Sequence, residues 1–78
     1  MPTVFVDSKY RYYFFSNEET RRHVHVSSSG HEAKIWVEPE IAVAKNVGFS
    51  QVELNEILKT VAKRKDEIND AWNKHFKR

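Results

Sequence analysis

The sequence predicts an α+β domain: a four- or five-stranded, mainly antiparallel sheet followed by one long C-terminal amphipathic helix packed on one of its faces. Three observations carry this. Up to residue 47, β-branched and aromatic residues alternate with polar ones; beyond Gly48, apolar residues recur at helical spacing; and Phe49, Ser50 and Glu53 between them form a helix-start signature. The strand-rich part covers residues 1–47 and the helical part residues 50–77. Residues 1–78 read as one domain, because a chain this short buries only a little over about 60% of its unfolded surface and cannot support two cores.

Composition narrows the class further. At 40% hydrophobic and 13% aromatic residues the chain is too apolar for a disordered tail. The absence of cysteine removes disulfides, thiolate metal sites and cysteine nucleophiles together, and points to an intracellular, cytoplasmic address. The longest apolar runs, Tyr12–Phe15 and Ile41–Ala44, fall far short of the ~20 residues a membrane helix needs, and the amino end lacks a basic start followed by an apolar stretch. Neither a membrane span nor secretion is expected. Thirteen Lys and Arg against eleven Asp and Glu leave a net charge of only +2, which forces no dominant attraction to nucleic acid.

The first two strands are Thr3–Val6 and Tyr10–Phe15, joined by the turn-prone Asp7, Ser8 and Lys9. In the second strand Tyr10, Tyr12 and Phe14 share one face while Arg11, Tyr13 and Phe15 share the other, so the strand is expected inside the sheet. Ser16–Thr20 is polar and reads as a loop. Arg22–Ser27 alternates again as strand three, and Glu32–Val37 as strand four.

Parity registers these last two. Val24 and Val26 form the apolar side of one, and Ala33, Ile35 and Val37 that of the other. A two-residue turn at Ser29 and Gly30, or a four-residue loop over Ser28–His31, pairs Val24 with Ile35 and Val26 with Ala33. A three-residue loop would set Val26 against Glu32 and is rejected, since a slip of one residue turns every side chain to the wrong face. The accepted register places His23 opposite Trp36, His25 opposite Lys34 and Ser27 opposite Glu32. That second face is the most chemically loaded surface of the sequence.

Pro39 removes a ladder donor and ends strand four. Ile41–Ala44 reads as a short fifth strand, although Glu40–Lys45 would also tolerate a helical turn. Ser50 with Glu53 makes a capping box, and Phe49 with Leu54 a hydrophobic staple, so helix begins at Gln51 or one residue away. Leu54, Ile57, Leu58, Val61, Ile68, Trp72 and Phe76 trace the buried stripe, bridged by the long stems of Arg64 and Lys65. Acidic Glu53 and Glu56 near the start and basic Lys74, Lys77 and Arg78 near the end match the helix dipole. One straight helix over this stretch would measure about 39 Å at ~1.5 Å per residue. That exceeds a globule roughly 25–30 Å across, so either its end projects or it breaks near Lys63–Glu67.

The chemistry concentrates on the middle hairpin. His23 and His25 project from one face at a spacing zinc can use, but zinc needs three or four converging ligands, and His31 and Glu32 lie two or more rows from His23. No metal site and no cofactor are expected. A catalytic reading makes the protein a small metal-independent ribonuclease, with His25 moving a proton and Lys34, Arg22 or Arg21 stabilising the phosphorane-like charge. A binding reading uses His23, His25, Lys34 and Trp36, with Arg22 at their edge, to hold a small partner protein or an RNA. The plainest reading packs His23 on Trp36 and leaves His25 facing water beside Lys34. Glycine-rich phosphate loops, serine elbows and metal-binding helix motifs are missing, which disfavours nucleotide, ester and peptide hydrolysis.

Read in order, Met1-Pro2-Thr3-Val4-Phe5, Tyr12, Asn17-Glu18, His23-Val24-His25-Val26, Ala33-Lys34-Ile35-Trp36, Gly48-Phe49-Ser50 and Trp72 with Phe76 resemble the small bacterial family known as domain of unknown function 4160. The resemblance covers essentially the whole chain. It implies a product of compact operons, suspected of belonging to toxin–antitoxin-like pairs, and carries the candidate site onto His23, His25, Lys34 and Trp36. The family usually has two prolines before its first histidine. Arg21 and Arg22 stand there in this chain and add positive charge at the entry of strand three.

Overall fold

The computed structural model describes residues 3–15 and 21–76. Five strands, β1 (Thr3–Asp7), β2 (Tyr10–Tyr13), β3 (His23–Ser28), β4 (His31–Trp36) and β5 (Ala42–Val47), form one antiparallel meander in chain order. Two helices, α1 (Gln51–Lys63) and α2 (Lys65–Phe76), follow and cover one face. The architecture is the α+β arrangement that alternation and helical spacing predict. Among the described residues no helix is long and apolar enough to cross a membrane.

Two tight turns build the hairpins. Asp7 pairs with Tyr10, so strand one runs one residue further than its apolar pattern indicates, and the connection shortens to Ser8 and Lys9. At the second turn Ser28 pairs with His31, while Ser29 (φ 48) and Gly30 (φ 82) both adopt the left-handed backbone that a two-residue hairpin requires. Every expected pair of the middle hairpin is present: His23 with Trp36, Val24 with Ile35, His25 with Lys34, Val26 with Ala33 and Ser27 with Glu32.

The second strand leaves its ladder after Tyr13, two residues before the end of its aromatic run. The Ser16–Thr20 loop lies outside the described residues, as do Lys77 and Arg78 at the end of the helical stripe. The fifth strand is a strand and not a helical turn, but it runs over Ala42–Val47 and not Ile41–Ala44. Its polar continuation is held by pairing: Lys45 lies opposite Lys34, Asn46 opposite Ala33 and Val47 opposite Glu32, with an irregularity before Val43 meets Ile35.

One face of the sheet presents Tyr10, Tyr12, Val24, Val26, Ala33 and Ile35 to Leu54, Ile57, Val61, Ile68 and Trp72 of the helices, and together they form the core. Phe5 stacks on Tyr12 with ring centroids 4.6 Å apart. The buried Tyr10 hydroxyl donates to Glu56 at 2.7 Å and ties β2 to α1.

The helix start is built as its sequence signature requires. Asn46 brackets the approach, its side chain accepting from the Phe49 N–H at 3.1 Å and donating to the Phe49 carbonyl at 3.0 Å. Gly48 follows the strand at φ 100, where a Cβ would overlap the His31 imidazole. Ser50 Oγ then accepts from Glu53 N–H at 3.2 Å, and Glu53 accepts from Ser50 N–H at 3.0 Å, closing the capping box.

That box and the Lys9 ammonium 3.0 Å away hold the Glu53 carboxyl down to about 2 from the usual 4.5, the Ser50 backbone bond being the larger cause. A depressed carboxyl adds stability that is whole above the unfolded value and disappears as pH falls through the folded one. The protein should therefore lose stability progressively from about pH 4.5 to about pH 2. Glu53→Gln should flatten this part of a pH-dependent urea denaturation profile; an unchanged profile would remove Glu53 as its source.

The stripe does not form one helix. At Arg64 the backbone turns to φ −110, ψ 26, although Arg64 N–H still donates to the Thr60 carbonyl and the Ile68 N–H to that of Arg64. The Arg64 guanidinium lies 3.7 Å above the Phe5 ring and pairs with Asp7 at 3.4 Å and Glu67 at 2.8 Å. The break shortens the helical layer to fit a body 33 × 23 × 20 Å in extent. It also brings the second half, with Trp72 and Phe76, against Phe14 beyond the end of β2.

Candidate functional site

The face of the sheet opposite the helices is ordered by register into rows. One row crosses four strands as Tyr13, His25, Lys34 and Lys45, each the direct partner of the next, at about 4.8 Å from strand to strand. The neighbouring row on one side is Arg11, Ser27, Glu32 and Val47. On the other side His23, Trp36 and Ala42 stand in line.

The aromatic groups of this face pack on one another. His25 stacks on Tyr13 at 5.5 Å and meets Phe15 at 4.3 Å, while the Arg11 guanidinium covers the Tyr13 ring at 4.7 Å. Tyr13 is consequently buried although it lies outside the main core. Burial chiefly, and then the Glu32 carboxylate, push its hydroxyl pKa above the ordinary phenol value, with Arg11 acting in the opposite sense. Phe15 remains 39% exposed. Half-buried Trp36 carries two cations over its ring, Arg21 at 4.0 Å and Lys34 at 4.6 Å. Arg21 is further held by donating to the Glu38 carbonyl at 2.8 Å.

An open cavity of about 380 Å³ lies on this face, lined by Tyr13, Phe15, His25, Glu32, Lys34 and Lys45 among others. Its walls combine apolar ring surface, two ammonium groups and one carboxylate. That combination can hold a flat, partly apolar group carrying an anionic substituent. Among the described residues no group of three or more His, Asp or Glu side chains converges as metal ligands do.

The sequence-derived site divides. His25, Lys34 and Trp36 are neighbours and partly exposed. His23 keeps its expected place opposite Trp36 but is completely buried, its ring 5.6 Å from Trp36, 5.1 Å from His25 and 5.3 Å from Trp72 of α2. Its Nδ1 lies 2.8 Å from the Arg21 carbonyl oxygen, which can only accept, so that nitrogen carries the proton. His23 is therefore a core histidine that supports Trp36 from beneath. Arg22 does not reach the face at all. Its guanidinium turns to the helix side, donating to Asn69 at 3.2 Å and Asn73 at 2.6 Å, and pairs with Glu38 at 3.3 Å.

One contributor escaped the reading of the sequence. Lys45 belongs to the central row only because β5 extends past Ala44, and its polar stretch has no strand signature of its own. Arg21 was named as a candidate cation, but its position over Trp36 depends on how the chain enters β3. Alternation put Tyr13 and Phe15 on one common face, but with rings on both sides of the strand only the pairing of Tyr13 with His25 shows that it is the face of His25.

A family model described as a domain of unknown function (DUF4160) matches residues 10–73. The match begins at β2 and ends within α2, so it contains the whole central row and Trp36. No curated protein and no solved structure matches the chain. With four of its five strands, α1 and most of α2 inside the match, the chain belongs to the family of the domain of unknown function DUF4160.

Proposed function

We propose that this protein binds single-stranded RNA in the cytoplasm through the outer face of its sheet. His25, Lys34, Lys45, Phe15 and Trp36 form the contact surface. The observation that carries the reading is the direct cross-strand pairing of Lys34 with Lys45. Two ammonium groups side by side on one cavity wall offer positive charge to neighbouring phosphates of a polyanion. The exposed ring of Phe15 and the half-buried ring of Trp36 on either side suit bases that stack while cations follow the backbone. A protein partner is the less favoured occupant, because lysine is depleted from the centres of protein interfaces.

Anisotropy titration of a labelled single-stranded RNA tests this. Affinity should fall with salt, and Lys34→Gln and Lys45→Gln should each reduce the slope of log K against log salt by about 0.7. Trp36→Ala should weaken binding by about 1–3 kcal/mol without altering that slope. Salt-independent binding, or slopes indifferent to both lysines, would overturn the reading. A small protein partner occupying the same face, as in a toxin–antitoxin-like pair, would appear instead as a co-purifying protein that displaces the RNA.

One observation favours a second reading, a metal-independent ribonuclease. His25 and Lys34 are direct cross-strand partners and line the same cavity, so a proton-transferring group and a charge-stabilising one adjoin. In that case the labelled RNA is cut, and His25→Ala abolishes cutting while leaving the folded protein intact.

A further inference from the structure

Resting on the RNA reading, a further feature of the cavity calls for more than backbone binding. Glu32 is a carboxylate placed in a site whose other charges, Lys34 and Lys45, suit phosphate. It stands one row from both lysines, between Ser27 and Val47. It lines the cavity together with Tyr13, His25 and both lysines, so its carboxylate borders the same space as their charges. A negative group there opposes a phosphate chain, and its usefulness lies in accepting hydrogen bonds.

We infer that Glu32 is a specificity-determining residue that selects a base carrying an amino group, N4 of cytosine or N6 of adenine, where uracil carries its O4 carbonyl. At about 380 Å³ the cavity lies at the small end of the range for ligand pockets, roughly 300–1,000 Å³, and admits one base. With that base against the exposed ring of Phe15 and its phosphates toward Lys34 and Lys45, the edge facing Glu32 meets only an acceptor. Cytosine and adenine present an amino donor to it, whereas uracil presents a carbonyl oxygen that the carboxylate repels. Cytosine and adenine are therefore bound in preference to uracil.

Short labelled homopolymers of C, A and U, titrated at one salt concentration against the wild-type protein and Glu32→Gln, decide the matter. The wild-type protein should bind C and A roughly tenfold more tightly than U. Glu32→Gln, whose amide both donates and accepts, should erase this ratio by tightening U most. Lys34→Gln should weaken all three while keeping the ratio. Equal binding of the three by the wild-type protein would overturn the inference and leave the RNA reading standing. So would a ratio that survives in Glu32→Gln, or a uniform gain that marks Glu32 as a mere counter-charge. Failure of every homopolymer to bind would overturn both.

Discussion

Trp72→Ala should lower the unfolding free energy by about 3–5 kcal/mol. A chain of this length holds only about 4–12 kcal/mol in all, taking roughly 0.05–0.15 kcal/mol per residue. Trp72 is 2% exposed and joins three aromatic groups from β3, α2 and the end of β2. Its ring lies 5.3 Å from Phe14, 4.3 Å from Phe76 and 5.3 Å from His23. Truncation leaves a cavity walled by rigid rings that collapse poorly, and it uncovers the buried imidazole of His23. Urea denaturation followed by circular dichroism measures the loss. Trp36, the second of the two tryptophans, then reports whether the site face is disturbed as well. A loss below about 1 kcal/mol, the level of a surface substitution, would show that α2 does not close the sheet as described.

Arg22→Ala should cost about 2–3 kcal/mol, in the range of hydrogen bonds made by a charged group. One guanidinium bonds two asparagines a helical turn apart on α2 and a carboxylate beyond β4. Its side chain is 27% exposed, so the ion pair is partly screened and the forked bonds to Asn69 and Asn73 carry most of the effect. Arg22→Lys should recover little, because an ammonium cannot reproduce the fork. RNA affinity of the folded Arg22→Ala protein should match the wild-type value, since the guanidinium points away from the cavity. A variant of full stability but weakened RNA binding would return Arg22 to the binding surface.

His23 and Arg22 mark the border of what alternation can tell. A period of two assigns each side chain to a face, and it assigned His23 to the same face as His25. It says nothing about what covers that face. His23 stands at the end of the strand, where a tryptophan from the second helix reaches round, while His25 two residues on stays half-buried. Arg22 carried no signal of its partners, which lie 47 and 51 residues further along the chain. Lys45 was missed for a related reason: β5 borrows its register from β4, and no tight turn counts residues between them.

The antiparallel sheet, the register of its middle hairpin, the helix start at Gln51 and the common face of His25, Lys34 and Trp36 were written in the sequence. Each depends on turns, caps and alternation acting over a few residues. Tertiary structure alone decided that His23 is core, that Arg22 anchors a helix and that Lys45 completes the central row. Those outcomes depend on how a broken helix crosses the end of the sheet and how far an edge strand follows its neighbour. Such contacts join residues distant in the chain, and no short-range pattern encodes them.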